Sequence, residues 1–149
     1  MNIRPCALIR RNDKYLFLTY DYSDGRLFAL PGGGCEDGES LAETLIRELK
    51  EELNVNLKVG SLLWVCEMKA HGKIPETLHL VFKGSIPSDV TPFIQRMNTT
   101  ASSLCWLSVD ELKNKILYPN IGSTIKKEQF LPEKSTETYL GVCPPRKWV

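Results

Sequence analysis

The sequence predicts a mixed fold of the α/β or α+β class, formed by one domain over residues 1–149. Segments typical of strands outnumber segments typical of helices, and the two kinds alternate along the chain. This alternation favours a mixed sheet with helices on its faces. The chain has 149 residues, of which 42% are hydrophobic and 25% charged, so it can bury a core of its own.

Three strands are expected ahead of the first helix. Residues 3–10 mix apolar and basic side chains, residues 15–20 are almost all aromatic or aliphatic, and residues 27–30 form a short apolar run. Residues 11–14 and 21–25 contain the Asn, Asp and Gly typical of turns and loops. The first thirty residues are therefore predicted to be β-structure.

The most regular segment is an amphipathic helix predicted over residues 41–53. Ser40 and Glu43 have the spacing of a capping box, which marks the start of a helix. Asn54 suits the left-handed residue that often follows the last turn. Apolar residues recur at helical spacing and form one face. They are Leu41, Ala42, Leu45, Ile46, Leu49 and Leu53.

Three glutamates near the end of this helix give the first indication of function. Glu48, Glu51 and Glu52 stand at i, i+3 and i+4, so their carboxylates crowd together where the helix dipole disfavours negative charge. Each like-charge neighbour costs about 0.2–0.5 kcal/mol. A cluster that opposes folding indicates a cation, and oxygen ligands suit Mg²⁺ or Mn²⁺ better than zinc. A solvated charged face is the alternative, and the helix alone leaves both open.

After the helix, residues 55–68 predict a strand or a bent pair of strands with Gly60 at the bend. Residues 77–84 predict a further strand. Residues 85–103 contain two prolines and little periodicity, so a loop is expected there, and residues 104–107 predict a short strand.

A second helix is predicted to begin at Ser108, with Glu111 as its capping-box partner, and to run to about Ile116. Residues 117–130 are expected to hold a further helical turn or two. The tail from residue 131 contains three prolines, and a short strand is expected over residues 138–142.

The segment before the long helix, Leu30-Pro31-Gly32-Gly33-Gly34, lets the backbone approach a ligand closely. Together with the helix it resembles the signature of the Nudix hydrolase family. That signature is a Gly, five residues, a Glu, seven residues, then Arg-Glu-apolar-x-Glu-Glu-x-Gly-apolar. It is met by Gly33, Glu39, Arg47, Glu48, Leu49, Glu51, Glu52 and Val55, while Asn54 replaces the last Gly. The flanking residues Phe28, Leu30, Pro31, Gly32 and Glu36 also match the family's common pattern.

This resemblance implies the Nudix α/β/α sandwich, in which the signature forms a loop-helix-loop beside a mixed sheet. It also implies a Mg²⁺-dependent (or Mn²⁺-dependent) hydrolase of a pyrophosphate bond. The expected substrate is a nucleoside diphosphate linked to another moiety, or a nucleoside triphosphate. Residues 69–72 carry neither the Pro nor the Tyr that marks two of the family's substrate classes, so both substrate types stay open.

Residue roles also follow from the resemblance. Glu48, Glu51 and Glu52 are expected to bind the metal, with the carbonyl of Gly32 as a further ligand. Glu48 or Glu52 is expected to act as the base, and Arg47 to orient the carboxylates. Gly33 and Glu39 are expected to be structural, with Glu39 holding the loop through Arg47. Substrate-binding residues are not identified, although Arg4 and Arg10 on the first strand are candidates for contact with a phosphate or a base.

Two alternatives to this hydrolase remain. The first is a catalytically silent module that uses the Nudix fold for nucleotide binding or regulation, and the intact acids argue against it. The second is an isopentenyl diphosphate isomerase of the same superfamily. The short chain and the lack of a reactive Cys with a partner acid argue against the isomerase.

Composition bounds the partners and the compartment. The net charge of +1 gives no general excess of basic residues, so no nucleic acid partner is expected. No stretch approaches 18 apolar residues and no signal segment is recognised, so no membrane partner is expected. Five cysteines without a CxxC pair favour free thiols and the cytoplasm. Members of the family are often dimers, so the resemblance admits a homodimer.

Overall fold

The computed structural model describes residues 1–128 and 137–144. The described residues form two helices and eight strands, which are interleaved along the chain. The elements are β1 (Asn2–Arg11), β2 (Lys14–Tyr22), β3 (Gly25–Ala29), α1 (Leu41–Leu53), β4 (Lys58–Met68), β5 (Thr77–Ser85), β6 (Ser103–Leu107), β7 (Ile116–Tyr118), α2 (Gly122–Glu128) and β8 (Tyr139–Val142).

The sheet is mixed, with the strand order β7-β3-β2-β1-β5-β4-β8, and β6 pairs with β2 outside this path. Three pairs are parallel: β1 with β5, β3 with β7 and β4 with β8. The pairs β1 with β2, β2 with β3, β2 with β6, and β4 with β5 are antiparallel. This arrangement confirms the predicted mixed fold.

The core lies on both faces of the sheet, because side chains alternate along each strand. One face carries Ala7, Ile9 and the helix residues Leu45 and Leu49. The opposite face carries Phe17, with Trp64 from β4 and Ile125 from α2 among its other members. The helix α1 is therefore fixed to one face of the sheet, and its acids are carried at a defined position over β1.

The long helix begins and ends where its sequence predicts. The backbone N–H of Glu43 donates to Oγ of Ser40 at 3.2 Å, and the N–H of Ser40 donates to Oε2 of Glu43 at 2.7 Å. Asn54 adopts the left-handed conformation, with φ 53° and ψ 42°. The prediction that Ile46 belongs to the apolar face is wrong, since this residue is 46% exposed. It stands at the border of the buried stripe and not within it.

The helix predicted from Ser108 to about Ile116 is also wrong. The contacts between Ser108 and Glu111 form in both directions, but the helical turn covers only Asp110–Leu112. Asn114 then takes a positive φ of 64°, and β7 begins at Ile116. Pairing of β7 with β3 gives residues 116–118 partners across the sheet, and it buries Leu117 in the core.

The remaining predictions hold with shifted bounds. Residues 55–68 give the single strand β4, which starts at Lys58 and carries register shifts between Val59 and Trp64. The expected helical turns in residues 117–130 correspond to α2, although residues 116–118 are strand. The expected strand over residues 138–142 corresponds to β8, while residues 129–136 and 145–149 lie outside the described residues.

Neither helix in the described part of the chain is long and apolar enough to cross a membrane.

Candidate functional site

The glycine-containing loop ahead of α1 lies directly against β1. The N–H of Ala7 donates to the carbonyl of Pro31 at 2.9 Å, and the N–H of Gly33 donates to the carbonyl of Pro5 at 3.2 Å. A Cβ on Gly32 would stand 2.2 Å from the Pro5 carbonyl oxygen. Glycine is therefore required at position 32 by the closeness of the two backbones.

Gly33 is required for a different reason. A Cβ at this position would stand 2.3 Å from Cδ of Glu48 and 2.4 Å from its Oε1. The loop thus makes room for a carboxylate, and not for another stretch of backbone. Gly34 has no atom within 4 Å of where its Cβ would lie. The three consecutive glycines consequently have three different surroundings.

Arg47 joins the loop to the acids of α1. Its Nε and Nη2 donate to the two carboxylate oxygens of Glu39 at 2.7 and 3.0 Å, and Nη2 also donates to the Gly34 carbonyl at 3.1 Å. Its Nη1 donates to Glu48 at 3.1 Å and to Glu51 at 3.3 Å. Hydrogen bonds from Arg47, and then one from the Glu36 N–H, lower the pKa of Glu39 to about 2. Every nitrogen of this guanidinium group is already in use.

The three glutamates do not share one environment. Glu52 is 7% exposed and lies beside Glu48, whereas the side chain of Glu51 is 49% exposed and turns to Arg47. Burial is the main cause that raises the pKa of Glu52 to about 7. A hydrogen bond from Thr99 lowers this pKa, and the neighbouring Glu48 carboxylate raises it. Within residues 1–128 and 137–144, no group of three or more acid, His or Cys side chains is arranged to hold a metal ion.

The donor atoms nevertheless fit a hard divalent cation. Two carboxylates, Glu48 and Glu52, are adjacent and shielded from water, and like charges in such a place favour a cation between them. The carbonyl of Gly32 accepts no hydrogen bond from the described residues and precedes the residue that contacts Glu48. Oxygen ligands of this kind suit Mg²⁺ or Mn²⁺.

A loop that the sequence left featureless covers the end of α1. The N–H groups of Phe93 and Gln95 donate to the carbonyls of Leu53 and Glu52 at 3.3 and 2.8 Å. The side-chain amide of Gln95 donates to the carbonyls of residues 50 and 51, and that of Asn98 donates to residue 51. These bonds satisfy carbonyl groups that the last turn of a helix leaves without intrahelical partners.

An open cleft of about 490 Å³ lies between this loop and the acids. It is lined by Glu48, Glu52 and the loop residues 96–100. Arg96 donates from Nη1 to the carbonyl of Ala101 at 3.0 Å. Sequence reasoning did not find this residue, because no periodicity or motif marks the loop.

A second cavity of about 520 Å³ borders the glycine-containing loop, and Arg4, Gly34, Thr77 and Tyr118 are among its lining residues. Cζ of Arg4 lies 5.2 Å from the ring centroid of Tyr118, whose hydroxyl lies 3.1 Å from Oγ1 of Thr77. The structure thus places Arg4, a predicted candidate, at a cavity. It places Arg10 elsewhere, in an exposed ion pair with Asp13.

His79 lies in the core beside this second cavity. It is fully buried, its ring packs edge-on against Tyr118 at 4.4 Å, and neither ring nitrogen has a hydrogen-bond partner in the described part of the chain. Burial, and to a lesser extent the charge of Arg4, lower the pKa of His79 to about 3. The imidazole is therefore neutral at physiological pH.

Comparison with known proteins gives a family. The family model of the NUDIX domain matches residues 3–127. The ADP-ribose pyrophosphatase of Methanocaldococcus jannaschii is 55% identical over 60 residues, which cover 40% of this chain and 36% of that protein. The nucleoside triphosphatase NudI of Enterobacter sp. strain 638 is 43% identical over 61 residues, which cover 38% of this chain and 43% of that protein.

The matched segments span 23% to 43% of the length of these and the other curated relatives. Among solved structures, an ADP-ribose pyrophosphatase from Streptococcus suis has a TM-score of 0.66 at 18% identity. That match covers 95% of this chain and 97% of the other. At this identity the likeness shows a shared fold.

Proposed function

The chain belongs to the Nudix family, and on this premise we propose that it is a Mg²⁺- or Mn²⁺-dependent hydrolase of a pyrophosphate bond. The proposed substrate is a nucleoside diphosphate linked to another moiety, or a nucleoside triphosphate. One observation carries the proposal: two adjacent carboxylates, Glu48 and Glu52, are held against a glycine that leaves room for them. Folding alone gains nothing from such a pair.

We propose that Glu48, Glu51, Glu52 and the carbonyl of Gly32 would hold the cation. When bound, a divalent ion neutralises the diphosphate and lowers the pKa of a coordinated water. Glu51 lies one helical turn from Arg47 and accepts a hydrogen bond from it. The Glu51 side chain would have to rotate away from Arg47 to join the other two acids.

The proton from the attacking water goes to Glu52 or Glu48 in this proposal. Both carboxylates line the open cleft, where a carboxylate within hydrogen-bond reach of the attacking water can accept its proton. Arg47 positions Glu48 by a hydrogen bond and ties the helix to the loop through Glu39. Gly33 leaves the Glu48 carboxylate free to take this position.

The second cavity supports a substrate with a group on each side of the diphosphate. Its volume of about 520 Å³ falls in the range of small-molecule sites, and it begins at Gly34, next to the residue that contacts Glu48. We propose that the nucleoside or the other linked moiety occupies this cavity. We further propose a cytoplasmic protein, because Cys6, Cys35, Cys66, Cys105 and Cys143 are all free thiols.

One observation favours the catalytically silent alternative. Glu51 faces Arg47 and not the other two acids, so the described residues contain no three-ligand cluster. A nucleotide-binding module that makes no use of a metal would show the same arrangement.

A panel of NDP-sugars, ADP-ribose and nucleoside triphosphates, assayed with and without Mg²⁺, separates the two. The hydrolase releases a mononucleotide or phosphate only with the metal, and Glu52→Gln lowers kcat by at least about a hundredfold. The matched control Glu111→Gln removes an acid of the turn Asp110–Leu112, which lines neither cavity described above, and it should retain full activity. Turnover that is unchanged in Glu52→Gln contradicts the assigned roles, and binding without turnover supports the silent module.

A further inference from the structure

We propose that Arg96 forms an anion subsite, which binds a phosphate oxygen of the substrate in the cleft that Arg96 lines together with Glu48 and Glu52. The inference rests on the proposed function and adds a residue that binds the diphosphate. Three observations carry it: Arg47, which contacts the acids, has no free donor; Arg96 lines the same cleft without an acidic partner in the described part of the chain; and the backbone around Arg96 is attached to α1.

Two other arginines lie near the acids. Arg4 borders the second cavity, where its Nη2 donates to the Leu30 carbonyl at 2.8 Å and its guanidinium packs on Tyr118. Arg47 is the nearer one, and its donors are all engaged. Its three nitrogens donate to Glu39, Glu48, Glu51 and the Gly34 carbonyl. A substrate oxygen could reach this guanidinium only by displacing one of these partners. A different cation is therefore needed to meet the negative charge of a diphosphate.

Arg96 has the free donors that Arg47 lacks. It lines the same cleft as Glu48 and Glu52, yet it forms no ion pair with either acid. In the described part of the chain only Nη1 has a partner, the carbonyl of Ala101, so Nε and Nη2 remain for a ligand. A guanidinium group presents parallel N–H donors that match two oxygens of a phosphate.

The loop holds the backbone around Arg96 in place before a ligand arrives, and the exposed side chain is anchored through its Nη1. Gln95, its neighbour, donates through both its backbone N–H and its side chain to carbonyls of α1, and Asn98 donates to the same helix end. The backbone on both sides of Arg96 is thus attached to the element that carries the acids. Pre-organised contacts of this kind lower the entropy lost on binding.

The charges of the cleft also require a cation at this place. A divalent ion would balance the two carboxylates of Glu48 and Glu52, and the negative charge of the diphosphate would then remain. Among the described residues that line this cleft, Arg96 is the cation, and Thr99 of the same loop hydrogen-bonds to Glu52. A guanidinium group at this place would neutralise the negative charge of the diphosphate that the divalent ion does not balance.

The subsite is tested by titrating methylenediphosphonate in the presence of Mg²⁺, by calorimetry, into the wild type, Arg96→Ala and Arg96→Lys. Loss of a charge-assisted hydrogen bond is expected to weaken binding about tenfold to a hundredfold in Arg96→Ala. Arg96→Lys restores part of the affinity, and the control Arg10→Ala, which removes a distant exposed arginine, changes nothing. In turnover, Arg96→Ala raises KM more than it lowers kcat.

The outcomes separate this inference from the proposed function. If the wild type hydrolyses a substrate and Arg96→Ala binds methylenediphosphonate as tightly as the wild type, the subsite is wrong and the hydrolase stands. If binding depends on Arg96 while no compound of the panel is hydrolysed, the subsite stands and the hydrolase is wrong. If the wild type does not bind methylenediphosphonate with Mg²⁺, the subsite is wrong, and the hydrolase is judged by the substrate panel alone.

Discussion

Replacement of Gly33 by alanine should remove activity while leaving the protein folded. None of Gly32, Gly33 and Gly34 has a positive φ, so the backbone accepts alanine at each position without conformational strain. The consequences therefore depend only on what the new methyl group meets. At position 33 it meets the end of a flexible side chain, the carboxylate of Glu48, at 2.3 Å.

The size of the effect follows from that distance. Carbon atoms in contact lie about 3.5–4.0 Å apart, so the Glu48 carboxylate must move by about 1 Å or more. A misplacement of about 1 Å in a catalytic group can lower the rate about a hundredfold. Since a side chain of this length can rotate aside, we expect the free energy of unfolding to change by less than about 1 kcal/mol.

The neighbouring glycines supply matched controls. Gly34→Ala has no protein atom within 4 Å of its new methyl group, so Glu48 keeps its position and stability should rise by up to about 1 kcal/mol. Because Gly34 borders the second cavity, any effect on activity should appear in KM, and kcat should fall far less than in Gly33→Ala. Gly32→Ala puts the methyl group 2.2 Å from the backbone oxygen of Pro5, which cannot rotate aside. Overpacking of this kind should destabilise the fold by about 1–3 kcal/mol or more.

Steady-state kcat at saturating Mg²⁺ and substrate, together with urea unfolding, measures both effects for the three variants. The reasoning is refuted if Gly33→Ala retains the wild-type kcat, or if Gly34→Ala loses as much activity as Gly33→Ala. A Gly33→Ala variant that is unfolded would show that Glu48 is held more firmly than its contacts indicate.

Two further predictions concern stability. Below pH 6.5 His79 becomes protonated in the unfolded chain, while the pKa of about 3 in the folded protein keeps the buried ring neutral. The free energy of unfolding should therefore decrease as the pH is lowered from 6.5 to 3. At pH 5 the loss of stability from this residue is about 2 kcal/mol. Urea unfolding at pH 7.5 and pH 5 should therefore show a pH-dependent loss that is about 2 kcal/mol smaller in His79→Leu than in the wild type. An equal loss in both proteins would contradict the assignment to His79. Asn54→Ala should lower the free energy of unfolding by about 1 kcal/mol because of the left-handed backbone, whereas Asn54→Gly should change it by a few tenths; equal effects of the two would argue against a conformational origin.

The parts of the fold that depend on neighbouring residues could be predicted from the sequence. The capping contacts of Ser40 and the left-handed Asn54 are local, and so is the spacing that places Glu48 and Glu52 together. The same kind of local contact at Ser108 misled the prediction of the second helix, because the pairing of β7 with β3 joins residues about ninety positions apart.

The cleft opposite the acids could not be predicted for the same reason. Gln95 and Asn98 bind carbonyls that lie 44 to 47 positions earlier in the chain. Amide side chains in a loop give no sign of such partners. The expected ligands Glu48, Glu51 and Glu52, in contrast, belong to one motif on one helix, so their closeness follows from local spacing.

The main path of the described sheet ends in two very short strands, the three residues of β7 and the four of β8, and the branch strand β6 has only five residues. A margin of this length offers a neighbouring molecule few unpaired amide and carbonyl groups to join. Beyond β4, which has eleven residues, the strand β8 and the bond from the Cys143 N–H to the Glu67 carbonyl cover the edge that would otherwise be the longest. Removal of β8 would therefore expose the edge of β4, and its first consequence would be self-association of the protein through this edge.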